Sequence, residues 1–285
     1  AHHQKGEYDL AERGYRQVLK DDPSQPDALH LTGVIAYQKG NYERALHHIS
    51  KAIRINPSAA DFHNNHGLTL AALNRLEEAT KAYRKAVALK PDHIQAWSNL
   101  GVCHFNQKMF NEAIEAYRHA LEINPEYTDA HNNLGNALRA TGQLEEAIYH
   151  YKLTIRSSPD SATAYTNLAN ALSDTGKPED ALETYNHALS LKPDYVEAWN
   201  NRSVVLRELG RLSEALDSSR KAIDLQPQNA DAWCNLGNIH RDRKEYPAAL
   251  EALYKAVELN PLLPAGWNNL GVVYKEQAQY RQAIT

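Results

Sequence analysis

Apolar positions along the chain fall into two alternating helical patterns. In the first, they recur at i, i+3, i+4 and i+7, as in Trp97, Leu100, Gly101 and His104. In the second, small and aromatic residues are spaced by four and three, as in Ala113, Tyr117 and Ala120. The pair of patterns recurs at a fixed interval. Pro23, Pro57, Pro91, Pro125, Pro159, Pro193, Pro227 and Pro261 are each 34 residues apart. An alanine lattice has the same period: Ala11, Ala45, Ala79, Ala113, Ala147, Ala181, Ala215, Ala249 and Ala283. Gly33, Gly67, Gly101, Gly135, Gly237 and Gly271 share one glycine phase, with Ala169 and Ser203 in its two gaps. Gly6, Gly40, Gly142, Gly176 and Gly210 share another. Such self-similarity marks a repeat array.

Counting positions within the unit from Pro26, full units run 26–59, 60–93, 94–127, 128–161, 162–195, 196–229 and 230–263. A partial unit 1–25 precedes them and a partial unit 264–285 follows. Each unit predicts two helices. Glycine at position 15 suits the left-handed residue just past the first helix, and proline at position 32 stops the second. Glycine at position 8 lies inside a helix, where it costs about 1 kcal/mol relative to alanine. Its recurrence predicts a close helix–helix approach, with the alanines of position 20 as the opposing contact.

The lattices resemble the tetratricopeptide repeat family. That family's pattern has an aromatic at position 4, Leu at 7, Gly at 8, Ala at 20, an aromatic at 24, Ala at 27 and Pro at 32. Here position 4 holds Trp97, Tyr165, Trp199, Trp233 and Trp267, and position 7 holds Leu100, Leu134, Leu168, Leu236 and Leu270. Position 24 holds Tyr15, Tyr83, Tyr117, Tyr151 and Tyr185, and position 27 holds Ala52, Ala86, Ala120, Ala188, Ala222 and Ala256. Departures at Leu29, His63 and His131 (position 4), Thr32, His66 and Arg202 (position 7) and Ser219 (position 24) predict local differences in packing. The resemblance implies an all-α, right-handed superhelical solenoid of antiparallel helix pairs, first helices lining the concave surface. The pentatricopeptide RNA binders have a similar period, but the charge and the Trp/Leu-Gly/Ala/Pro lattice favour the tetratricopeptide reading.

The chain opens and closes inside repeat units, at Ala1 and Thr285, so a piece of a longer protein is expected, with self-association through its open ends. Composition narrows the function. Lys+Arg is 31 against Asp+Glu 35, a net charge of −4, which argues against a general nucleic-acid binder. Mean hydropathy is −0.63 and no apolar run reaches the roughly 20 residues of a membrane-spanning helix, so no membrane insertion is expected. Cys103 and Cys234 stand alone, with neither disulfide-framework nor zinc spacing, and point to a reducing, cytoplasmic location. No GxxxxGK[ST], strand-following GxGxxG, HExxH or GxSxG motif is present, so catalysis and cofactors are not expected of this chain.

Position 6 carries the strongest functional signal: Asn65, Asn99, Asn133, Asn167, Asn201, Asn235 and Asn269. A carboxamide both donates and accepts, so a row of them fits the N–H and C=O groups of an extended peptide. The alternative is that these amides bond within the array. Asn136, Asn170 and Asn238 at position 9 would widen the polar stripe. The asparagine row, with phrases such as HNNLGNAL at 131–138, resembles the acceptor-gripping arm of protein O-GlcNAc transferases. That resemblance implies side-chain selection by acids at position 2, a series broken here into Asp27, Asp61, Asp129, Glu197 and Asp231. The alternative for those acids is first-turn support of helix dipoles.

Three further readings complete the picture. Position 12 (Arg139, Arg207, Arg241, Lys275) and position 13 (Asp174, Glu208, Asp242, Glu276) suggest a charged rim or a solvated face. Position 5 holds no cation, which excludes the clamp that other tetratricopeptide domains use on chaperone C-termini. His63 and His66 lie three apart, but no third ligand follows by spacing and no metal site is expected. The function read from the sequence is a scaffold binding a protein or extended peptide; the alternative is the recognition arm of a glycosyltransferase whose catalytic domain lies outside this chain.

Overall fold

A computed structural model of the protein describes residues 8–277. These residues form sixteen α-helices and no strand. The first helices of successive units are α2 (Pro26–Gln38), α4 (Ala60–Ala72), α6 (Ile94–Asn106), α8 (Thr128–Ala140), α10 (Ala162–Asp174), α12 (Val196–Glu208), α14 (Ala230–Asp242) and α16 (Pro264–Glu276). Each begins on position 1 of its unit. The second helices are α1 (Tyr8–Asp21), α3 (Tyr42–Ile55), α5 (Leu76–Leu89), α7 (Phe110–Ile123), α9 (Leu144–Ser157), α11 (Pro178–Leu191), α13 (Leu212–Leu225) and α15 (Tyr246–Leu259). Ala283 and Gly6, counted in the lattices above, lie outside the described residues.

The chain forms two compact units, Ala1–Gln143 and Leu144–Thr285. Within each, a helix packs on its sequence neighbour, and a first helix also packs on the first helix of the next repeat. Among the described residues of each unit no second helix touches another in this way, so the first helices form the tighter row.

The turn between paired helices shows why position 15 is usually glycine. Gly40, Gly142, Gly176 and Gly210 have φ of 72–78°. The N–H of position 16 then reaches the C=O of position 11, as in Asn41 to Ala36 at 2.8 Å and Arg211 to Leu206 at 2.9 Å, which satisfies a carbonyl the helix end would leave unpaired. Three units do the same without glycine: Asn74 (φ 58°), Lys108 (φ 60°) and Lys244 (φ 61°).

Small residues set how closely the paired helices approach. The position-20 alanines from Ala45 to Ala249 are all fully buried. The residue opposite the position-8 glycine, however, is the side chain at position 24. A Cβ on Gly101 would lie 2.5 Å from the Tyr117 ring, and one on Gly67 2.6 Å from the Tyr83 ring. Position 20 contributes only its backbone carbonyl, 3.1 Å away at Gly33 and 3.2 Å at Gly237. This corrects the expected alanine contact: the aromatic one turn further along the second helix fills the space that glycine leaves.

The departures at position 4 have a chemical basis. Trp97, Trp199, Trp233 and Trp267 donate their indole N–H to the carbonyls of Pro91, Pro193, Pro227 and Pro261 at 2.8–2.9 Å. His63 and His131 place a ring nitrogen 2.9 Å from the carbonyls of Pro57 and Pro125. Histidine keeps the bond that ties each first helix to the proline before it. At position 7, Arg202 bonds Asn186 at 2.7 Å and Ser218, while Ser219 at position 24 donates to the Ala232 carbonyl at 3.1 Å. Unit 196–229 thus has a polar layer where its neighbours have leucine at position 7 and Tyr185 or Leu253 at position 24.

Candidate functional site

Position 6 falls mid-way along each first helix, on the row where first helices meet. All seven asparagines there are half-buried. In the N-terminal unit, Asn99 donates from Nδ2 to Asn64 Oδ1 at 3.0 Å, and Asn65 Nδ2 lies 2.8 Å from His30 Nε2. In the C-terminal unit, Asn235 donates to Asn200 Oδ1 at 2.9 Å, Asn269 to Cys234 Sγ at 3.3 Å, and Asn201 to Asn170 Oδ1 at 3.0 Å. Four of these five partners sit at position 5 of the preceding repeat. One N–H of each of these five amides therefore links adjacent first helices. An amide has two N–H groups and two carbonyl lone pairs. Asn65 and Asn201 also accept 3.3 Å bonds from Asn64 and Asn200. Even these two retain the capacity for one further donated and one further accepted bond, the complement of one peptide unit.

Position 9 lies deeper. Asn136 is half-buried, but Asn170 and Asn238 are buried. Asn170 Oδ1 accepts from the Tyr185 hydroxyl as well as from Asn201, so it works inside the array. Asn238 Oδ1 is buried with no partner. The position-24 residue of its unit is Leu253, which has no hydroxyl to offer.

Beside Asn200 and Asn201 a polar cavity of about 540 Å³ opens between the N-terminal ends of α12 and α14. Lys192, Asp194, Glu197 and Asp231 give its walls three carboxylates and one ammonium. Tyr195 donates its hydroxyl to Glu197 at 3.2 Å, and the Lys192 ammonium sits 4.8 Å from the Tyr195 ring centre. Burial raises the Tyr195 phenol above its usual range. The position-2 acids Asp27, Asp61, Asp129, Glu197 and Asp231 are all exposed in first turns, where they favour the helix dipole whatever else they do.

Residues 1–194 match the family described as the cilia and flagella-associated protein 70 C-terminal domain. Residues 166–230, 230–261 and 252–285 each match a tetratricopeptide repeat family. The chain belongs to the tetratricopeptide repeat family. No curated protein sequence matches it. Among solved structures, that of the APC/C hetero-tetramer Cut9-Hcn1 aligns over 93% of this chain with a TM-score of 0.70 and 16% identity, a likeness of fold alone. The chain spans only 52% of that structure's length. YrrB, described as a TPR protein with an unusual peptide-binding site, aligns with TM-score 0.54 and 26% identity over 65% of this chain and 95% of its own. MamA aligns with TM-score 0.54 and 25% identity over 56% of this chain and 94% of its own.

Some of the remaining candidates on this tetratricopeptide array find internal partners. Arg207 lies 3.8 Å from Asp242, which also pairs with Arg241 at 2.8 Å, so this part of the charged rim is internally paired. Lys275, Glu208 and Glu276 are exposed. His63 is held by the Pro57 carbonyl and His66 by Ser50 at 3.0 Å. Among the described residues no three His, Cys, Asp or Glu side chains gather as a metal site, and no helix is long and apolar enough to cross a membrane. The sequence reading passed over position 5. It holds no cation, and His30, Asn64, Asn200 and Cys234 there serve as acceptors for the amide row. The available signal was that His30, Asn64, Ser98, Asn132, Thr166, Asn200, Cys234 and Asn268 are all hydrogen-bonding types.

Proposed function

We propose that the chain is a scaffold that grips an extended protein segment along its row of first helices through Asn65, Asn99, Asn133, Asn167, Asn201, Asn235 and Asn269, and that it performs no chemistry itself. The observation that carries this is the divided use of the amides of Asn65, Asn99, Asn201, Asn235 and Asn269: one N–H fixes the side chain against the neighbouring helix, and a donor and an acceptor remain. Fixing the side chain beforehand lowers the entropy cost of binding. Adjacent first helices should lie roughly 8–10 Å apart, and an extended peptide rises about 3.3 Å per residue, so one asparagine serves about every third residue. YrrB's description as a peptide-binding TPR protein supports a ligand of this class.

The same row favours a second reading, the acceptor-recognition arm of a protein O-GlcNAc transferase-like enzyme. A nucleotide-sugar-binding domain in the sequence beyond Thr285 would select that reading; its absence from the full-length protein would remove it.

The test compares two sets of folded variants on peptides captured from a short random library. Asn99→Ala, Asn201→Ala and Asn235→Ala together remove groove donors and acceptors. Asn64→Ala with Asn200→Ala removes the internal acceptors of Asn99 and Asn235 and the internal donors to Asn65 and Asn201, but leaves every position-6 amide in place. A net hydrogen bond contributes about 0.5–1.5 kcal/mol, so the triple variant should bind about a hundredfold more weakly if the effects add. The position-5 pair should lose at most a few-fold. Equal effects from both sets, or none from the triple, would refute a direct role for the asparagines.

A further inference from the structure

Position 24, which packs against the glycine of position 8, changes in volume between repeats. It is tyrosine in four consecutive full units (Tyr83, Tyr117, Tyr151 and Tyr185), but Ile49 in unit 26–59. There an apolar cavity of about 220 Å³ opens among α2, α3 and α4. Val34, Tyr37, Ile49 and Leu68 form its wall, with Asn65 of the asparagine row at the same opening. The cause is visible one repeat later, where the Tyr83 ring packs against Gly67. Gly33 leaves the same room beside Ile49, with 2.6 Å from a virtual Cβ to the nearest side-chain atom in both units. Isoleucine fills the near part of that space and lacks the length of the phenol.

We propose that this cavity receives one apolar side chain of the bound segment, of leucine to phenylalanine size, and so gives a backbone-gripping groove a sequence preference at one point. The inference rests on the groove reading above and adds the class of residue recognised. Size sets the upper bound. An apolar cavity of about 150 Å³ holds a benzene molecule, whereas pockets for drug-sized ligands begin near 300 Å³. Polarity sets the class. Val34, Ile49, Leu68 and the Tyr37 ring make most of the wall apolar; Gln38 and Asn65 bring amides to it, and Thr69 has its hydroxyl bonded to the Asn65 carbonyl at 2.8 Å. A charged or amide side chain entering would lose water without adequate replacement. Position supplies the rest. Asn65 Nδ2 is already bonded to His30, and its remaining N–H and lone pair can hold the backbone of the residue whose side chain enters.

The experiment uses the full chain and a short random-peptide library. Binders selected by the wild type should share one Leu, Ile, Met or Phe. Ile49→Tyr should weaken them about ten- to a hundredfold, the effect of losing one buried apolar side chain. Replacing that peptide residue with alanine should cost as much on the wild type and little more on Ile49→Tyr. Ile49→Phe fills the cavity without a hydroxyl and should behave alike, while thermal melts confirm that both variants fold. If both fold and bind as the wild type does while Asn99→Ala weakens binding, the subsite is wrong and the groove reading stands. If neither kind of change weakens binding, or the folded wild type captures no peptide, both are wrong.

Discussion

Asn238 offers a stability test that turns on one missing hydroxyl. Its Oδ1 is buried without a partner. Two repeats earlier, Asn170 at the same position accepts from Tyr185. Leu253→Tyr should supply Asn238 with that donor. Leu253 Cγ lies 2.6 Å from a virtual Cβ on Gly237, as close as the Tyr83 ring lies to that of Gly67, so the helices approach closely enough for the same contact. A buried unsatisfied acceptor costs about 1–3 kcal/mol, but a larger side chain in a packed site costs about 1–3 kcal/mol where room is short. The single substitution therefore mixes two terms of opposite sign. A double-mutant cycle with Asn238→Ala separates them, because the packing cost of the ring is common to both tyrosine variants.

With leucine at 253, removing the amide also removes an unpaired acceptor, and part of the lost packing is offset. With tyrosine at 253, the same change breaks a buried hydrogen bond and strands the hydroxyl. The coupling should reach at least ~1 kcal/mol and at most ~3 kcal/mol. Urea melts of the four chains give the cycle. Hydrogen exchange in α14 and α15 localises it, since repeat arrays can lose units separately. A coupling within ~0.5 kcal/mol of zero in four folded chains would refute the account of the orphaned amide.

Other consequences are checked by melts on single variants. Lys108→Gly should stabilise by about 1 kcal/mol, because it relieves a left-handed side-chain residue at φ 60°; a loss of stability would count against strain at that turn. Gly67→Ala should destabilise by about 1–3 kcal/mol despite alanine's better helix propensity, since its Cβ would enter the Tyr83 ring. The exposed Gly14→Ala, with nothing within 4 Å, should instead gain up to about 1 kcal/mol. Hydrogen bonds from Lys39 and Arg44 lower the Glu12 carboxyl from 4.5 to about 2. Docking of α1 on α2 and α3 should be fully supported above pH 4.5 and weaken as pH falls through about 2, a dependence that Glu12→Gln should flatten in hydrogen exchange of α1.

The period was legible because each lattice reports a backbone event. Proline at 32 and glycine at 15 mark the two turns, and the first helices begin at Pro26, Ala60 and every thirty-fourth residue thereafter. Contacts between lattices were less legible. The glycine of position 8 has an unbroken alanine row as an obvious partner, yet it meets position 24, one turn further on. Periodicity gives the face of a helix, not the turn that touches. The amide row was visible and its internal partners were not, because a bond between positions 6 and 5 of successive repeats spans 35 residues and follows no single-helix rule. The cavity beside Asn65 shows in sequence only as Ile49 ahead of a run of tyrosines. That difference becomes meaningful once Gly33 and Gly67 are seen to leave equal room.

On the proposed reading, the row's internal bonds and its use on a peptide would together explain why a carboxamide suits position 6. An aspartate has no N–H, so it could not donate to Asn64 or Asn200 and would face their Oδ1 atoms with a charge. A serine has one donor; used on the neighbouring helix, it would leave only acceptor capacity for a peptide. A glutamine has the same groups on a longer, more mobile stem, and fixing it costs more rotamer entropy. Asparagine alone among these is short, donates twice and accepts. The bond to the preceding helix also makes binding depend on how repeats sit against each other, because the atoms that hold one first helix to the next orient the atoms left for the ligand. A segment bridging several asparagines would therefore favour the spacing of first helices at which all of them are aligned. Its binding should stabilise those repeats together, by an amount set by ligand concentration relative to affinity.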